Sequence, residues 1–124
     1  MIAVEVENRS GAPVDEAGVA ALARRVLEAE GLDDAELGIA FVRPDESRAL
    51  KREHLGVDEA TDVLSFPIDG RDELPPGVPR QLGDVVLCPE VVGDAWKLPL
   101  VHGLLHLLGY DHGPEMDARE AALA

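Results

Sequence analysis

Cysteine, aromatic rings, positive charge and long apolar runs are all scarce in this chain. One cysteine, Cys88, excludes an internal disulfide. Its neighbours Leu87 and Pro89 predict a small buried residue and not a nucleophile. With one Trp, one Tyr and two Phe, there is little material for a platform on which bases could stack. The spacing directs Phe41, Phe66, Trp96 and Tyr110 mostly to the core. No run of about 18 apolar residues is present, which argues against a membrane span. The opening MIAVEVENRS has neither the basic start nor the apolar stretch of a secretory signal, and so predicts a cytoplasmic protein. Eleven Lys and Arg stand against 25 Asp and Glu, a formal charge of −14. That field repels polyanions at long range, so any nucleic-acid role has to work through local chemistry.

What the chain does contain is a globular balance, 46% hydrophobic and 29% charged over 124 residues, which predicts one domain over 1–124 with its own core. Ile2, Val4 and Val6 alternate with polar neighbours as in a half-buried strand. Between Asp15 and Glu30 the residues Val19, Leu22, Ala23, Val26 and Leu27 recur at helical spacing, with Asp15 as a cap and Gly31 as a stop. Further strands are predicted over Glu36 to Val42, Asp62 to Ile68 and Asp84 to Leu87. Helices are predicted over Asp45 to Leu55, Pro89 to Trp96, Pro99 to Gly109 and Pro114 to Ala124, with a loop from Asp69 to Arg80. The elements intersperse without a strict βαβ rhythm. The expected class is therefore α+β, a small mixed sheet of about four strands packed with helices.

The chemistry concentrates near the C-terminus. His102 and His106 are four residues apart, on one face of a helix that is otherwise almost wholly apolar, so their ring nitrogens can converge on one ion. Gly109 permits a positive φ and a sharp exit, which lets Tyr110 and Asp111 turn back and present His112. Uncompensated imidazoles on such a helix would cost free energy, which favours metal binding. Three neutral imidazoles suit Zn2+ in a tetrahedral site whose fourth position is left for water, the arrangement of catalytic zinc; nickel, copper and iron are also compatible with imidazole. The pattern His102, His106, Gly109, His112 matches the metzincin peptidase spacing, but Gly103 stands where that signature has its glutamate base. A peptidase would need another base, for which Asp111, Glu115 and Glu120 are candidates. His54, in the polar second helix, is expected to be exposed and remote from this cluster. Ser65, a strand serine with no histidine base assigned to it, is expected to be structural.

The stretch HGLLHLLGYDH (His102 to His112), with TDVLSFP (Thr61 to Pro67) and LGDVVLCPEV (Leu82 to Val91), resembles the YbeY family of bacterial rRNA-maturation endoribonucleases in order and spacing. The resemblance implies an α+β metalloprotein in which His102, His106 and His112 hold zinc. It also implies cleavage of single-stranded RNA in processing small-subunit rRNA and in ribosome quality control, and it points to a small-subunit ribosomal protein and an assembly GTPase as partners. Many members have an arginine six residues before the threonine of TDVLSFP, where this chain has Leu55, and a frequent nearby asparagine is Lys51 here. The chain is also shorter than its relatives between the Pro89 to Trp96 helix and the histidine helix.

Arg43, Arg48, Lys51 and Arg52 form the one dense basic group, the expected RNA contact beside the metal. The expected chemistry is metal-assisted attack of water on an RNA phosphodiester, with Asp111 orienting a histidine or managing a proton. A metallohydrolase of another substrate class, and a ribosome-assembly factor with a structural metal, are the rival readings.

Overall fold

Alternation of apolar and polar residues sets the first strand, β1 (Ile2–Asn8), and it pairs in parallel with β2 (Ala35–Phe41). The computed structural model describes residues 1–59 and 61–123; the expected end of the last helix at Ala124 lies outside them. Between these strands runs α1 (Glu16–Ala29), whose N-terminus is capped by the Asp15 carboxylate accepting from the Gly18 amide. Its buried stripe is Val19, Leu22, Ala23, Val26 and Leu27, the set read from the periodicity. Then follow α2 (Pro44–Leu55), β3 (Val63–Pro67) and β4 (Gln81–Leu87). The sheet order is β1-β2-β4-β3, with β2 and β4 parallel and β3 antiparallel to β4. This is the mixed four-stranded sheet of an α+β fold, and β3 is one of its edges.

Three elements have a boundary that differs from expectation by two residues or more. The fourth strand begins at Gln81, three residues earlier than predicted, because Gly83 sits inside the strand at φ 125° and does not break it. A side chain there would meet the Phe66 carbonyl of the neighbouring strand. The short helix α3 (Pro89–Val92) stops well before Trp96, since Gly93 takes φ 56° and ends it. The histidine helix α4 (Lys97–Leu107) starts two residues before Pro99, which falls within the first turn, where no intrahelical N–H is lost. The final helix is α5 (Pro114–Leu123). None of these helices is long and apolar enough to cross a membrane.

The core lies between one face of the sheet and the helices α1 and α4. Leu100, Val101, Leu104, Leu105 and Leu107 of α4 are buried there with Leu37, Ile39, Val85 and Leu87. Each fully buried leucine contributes about 1.5–3 kcal/mol relative to exposure, which leaves α4 little freedom to rotate about its axis. On the other face α2 covers only part of the sheet, through Leu50 over Ala40 and Phe66. Buried Ser47 ties α2 to the segment before β3, its hydroxyl donating to the Thr61 carbonyl and accepting from the Thr61 amide, each at 3.2 Å.

At Gly103 the backbone of α4 approaches the sheet closely. A Cβ at that position would lie 2.8 Å from Val85 Cγ1, 3.0 Å from Val63 Cγ2 and 3.1 Å from Ser65 Oγ. The Ser65 hydroxyl donates to the Gly103 carbonyl at 2.9 Å, which gives the serine the structural role expected of it. A glutamate at this position has no room, and its charge would be buried. Gly103→Glu is therefore expected to lower stability by more than about 3 kcal/mol, from overpacking and an unpaired buried charge. The urea midpoint of the purified variant checks this, and a midpoint unchanged from the parent chain would contradict the close approach.

Candidate metal centre

Because α4 is buried on both flanks, the one face on which polar side chains survive is the one carrying His102 and His106. Both rings are half-buried and lie one turn apart, with Nε2 atoms 3.1 Å from each other. The helix ends in the paired bonds of a Schellman cap, the Tyr110 amide to the Leu105 carbonyl and the Gly109 amide to the His106 carbonyl, each 3.1 Å. Gly109 occupies φ 96°, as the turn requires. The reversed chain brings the exposed His112 ring to 4.5 Å from His106 and 5.1 Å from His102, centroid to centroid. One ligand nitrogen from each of the three lies within 4.8 Å of the others.

The set fits zinc. Nitrogens about 2.0–2.1 Å from a tetrahedral ion are separated by about 3.3 Å, close to the observed pair. The remaining nitrogens of the two helical rings already have partners, as metal-ligating histidines require. His102 Nδ1 is 3.1 Å from Glu120 Oε1 on α5, and His106 Nδ1 is 2.9 Å from the Tyr110 carbonyl. With acceptors on Nδ1, each ring carries its proton there and turns the Nε2 lone pair towards the other. Burial, and then the neighbouring His102 and His112, push the His106 pKa down despite the bond to Tyr110, which keeps the ring in its neutral, ligating form.

The three rings sit in an open cleft of about 780 Å³ whose floor is the edge strand β3. Asp62, Asp111 and Glu120 are its carboxylates, and Leu55 and Leu98 form apolar rims. His54 is exposed as expected, but it is not remote: folding of α2 brings it to this cleft, edge-on to Phe66 with centroids 4.9 Å apart. Leu55 is 62% exposed here. Asp111 is exposed on the rim, while the orienting acceptors for His102 and His106 come from Glu120 and the Tyr110 backbone. Glu115, the third candidate base, is exposed and lies outside the cleft. The basic group lies apart from the histidines. Arg48, Arg52, Asp58 and Glu59 line a separate hollow, with Arg48 paired to Asp58 and Lys51 to Glu59 at 2.8 Å each; exposed Arg43 precedes α2.

Among the described residues Glu120 is the one carboxylate hydrogen-bonded to a ring of the triad, and its removal tests the arrangement. Glu120→Ala is expected to weaken zinc binding by about 10–100-fold, and Glu120→Gln by less, since an amide oxygen still accepts from Nδ1. Competition against a chromophoric chelator measures both. Unchanged affinity in Glu120→Ala would remove Glu120 from the site.

Similarity to known proteins identifies the family of the chain. A family model described as Endoribonuclease YbeY matches residues 5–122. The Endoribonuclease YbeY of Salinispora tropica is 39% identical, over 96% of this chain and 88% of its own length. That of Beutenbergia cavernae is 43% identical, over 96% and 89%. A Thermotoga maritima protein of known solution structure superposes with a TM-score of 0.61 at 24% identity, covering 97% of this chain and 85% of that one, which supports the fold. With the family model matching nearly the whole chain, and with relatives 39% and 43% identical over 96% of it, this protein belongs to the YbeY endoribonuclease family.

Proposed function

We propose that the chain, acting as one domain over 1–124, is a zinc-dependent endoribonuclease that cleaves single-stranded RNA in the cytoplasm. Its role is the maturation of small-subunit rRNA and ribosome quality control, with a small-subunit ribosomal protein and an assembly GTPase as partners. The observation that carries the reading is the convergence of His102, His106 and His112 in an open cleft of a YbeY family member. Zinc bound by these rings supplies a Lewis acid for charge developing on a phosphodiester and eases deprotonation of the attacking water.

The chain's own residues hold the rest of the arrangement. Glu120 and the Tyr110 carbonyl fix the two helical rings in one tautomer and orientation. Gly103 supplies no base, and the Ser65 hydroxyl is committed to the Gly103 carbonyl and so is not a free nucleophile. Among the described residues that leaves Asp62 and Asp111 as cleft carboxylates with no ring bound to them. Of these, Asp62 accepts from the Val63 amide at 2.8 Å, so Asp111, beside His112, is the better placed to manage a proton. RNA contacts by Arg43, Arg48, Lys51 and Arg52 fit this reading outside the cleft, where Asp58 and Glu59 offset part of their charge.

Leu55 favours a second reading, an assembly factor whose metal is structural, because this exposed position, where the family resemblance implies an arginine, carries no charge. One experiment separates the two. Chelated protein is expected to lose cleavage of a single-stranded RNA and to regain it with zinc, whereas His106→Ala should stay inactive at any zinc concentration. Cleavage persisting in His106→Ala would refute the nuclease reading. Absence of cleavage by a zinc-loaded chain that unfolds on chelation would establish the structural one.

A further inference from the structure

Glu30 is placed against expectation. It follows the last residue of α1, at the negative end of the helix dipole, where a carboxylate is disfavoured and a cation is favoured. Its side chain is 3% exposed. Burying an unpaired carboxylate costs far more than it contributes, so such a group persists only with several donors. Three converge on it from three distant segments. The Tyr110 hydroxyl donates to Oε1 at 2.7 Å and Arg71 Nη2 donates to the same oxygen at 3.2 Å, while Arg119 Nε donates to Oε2 at 2.5 Å. The two guanidiniums also reach the backbone at the helix end, Arg119 at the Ala29 carbonyl and Arg71 at the Glu30 carbonyl, both at 3.2 Å. Burial alone would push the carboxyl up; the bonds from Tyr110 and Arg119 and the charges of Arg119 and Arg71 outweigh it and hold the group below the ordinary carboxylate range.

Two of these donors belong to residues that lead directly to the histidines. Tyr110 is pinned at one end by Glu30, and at the other its carbonyl accepts from His106 Nδ1. Arg119 immediately precedes Glu120 on α5, and Glu120 is the acceptor on His102 Nδ1. A single buried anion thus fixes both segments that orient the helical ligands, from 80 and 89 residues away in sequence. We infer that Glu30 is a positioning residue for the metal centre, acting through Tyr110 on His106 and through the Arg119–Glu120 segment on His102.

This rests on the reading of His102, His106 and His112 as metal ligands. The test is zinc affinity of the full chain, by competition with a chromophoric chelator, alongside the thermal stability of the metal-free forms. Tyr110→Phe removes only a hydroxyl and is expected to fold, weakening zinc binding by about tenfold. Glu30→Gln is expected to weaken it at least as much, and the double variant should match Glu30→Gln, because the two residues share one interaction. Glu28→Gln, an exposed carboxylate on the same helix, is expected to bind zinc like the parent. A folded Tyr110→Phe with parental zinc affinity, whatever its metal-free stability, overturns the inference and leaves the metal centre standing. A parent chain that binds no zinc overturns both.

Discussion

Two imidazoles one helical turn apart, each tied through Nδ1 to an acceptor outside the helix, are what the rest of the structure depends on. Neither ring could hold that orientation on a helix free to roll. The apolar flanks of α4, buried against α1 and the sheet, prevent rolling, and the Gly109 cap sets where the chain leaves. From that exit follow the return of His112 and the position of the Tyr110 carbonyl. Hydrophobic burial, a glycine turn and two hydrogen bonds thus act in sequence, and none of them alone would bring three nitrogens together.

The same packing decides what chemistry is open to the site. The histidine spacing is that of peptidases in which the residue after the first histidine is the base. Here that residue faces Val63, Val85 and Ser65 at distances that exclude even a methyl group without movement. Close approach of α4 to β3 and β4 and the presence of a base at position 103 are mutually exclusive. The cleft therefore has its carboxylates elsewhere, on the segment before β3, on the turn and on α5, with the sheet edge as its floor.

Local patterns carried much of this into the sequence. Strand alternation at Ile2, Val4 and Val6, the stripe of α1, the i, i+4 histidines and Gly109 each act within a few residues, where backbone geometry alone relates spacing to direction. What lay hidden acts across the fold. His54 reaches the cleft because α2 is tied to Thr61, and no spacing within α2 reports that. Glu120 is 18 residues from His102, and was one of three acidic candidates that sequence could not rank. Glu30, 80 residues from Tyr110, read only as the last residue of an amphipathic helix. The strand at Gln81 was obscured by Gly83, which reads as a breaker and in fact allows a neighbouring carbonyl to approach.

Three rings that hold a metal while leaving a position open to the cleft are the proposed core of the site. X-ray absorption at the zinc edge of the loaded chain measures that directly. Three imidazole nitrogens at about 2.0–2.1 Å are expected, with one oxygen that is replaced when a small anion is added. A shell closed by four protein ligands, unaltered by added anion, would contradict it.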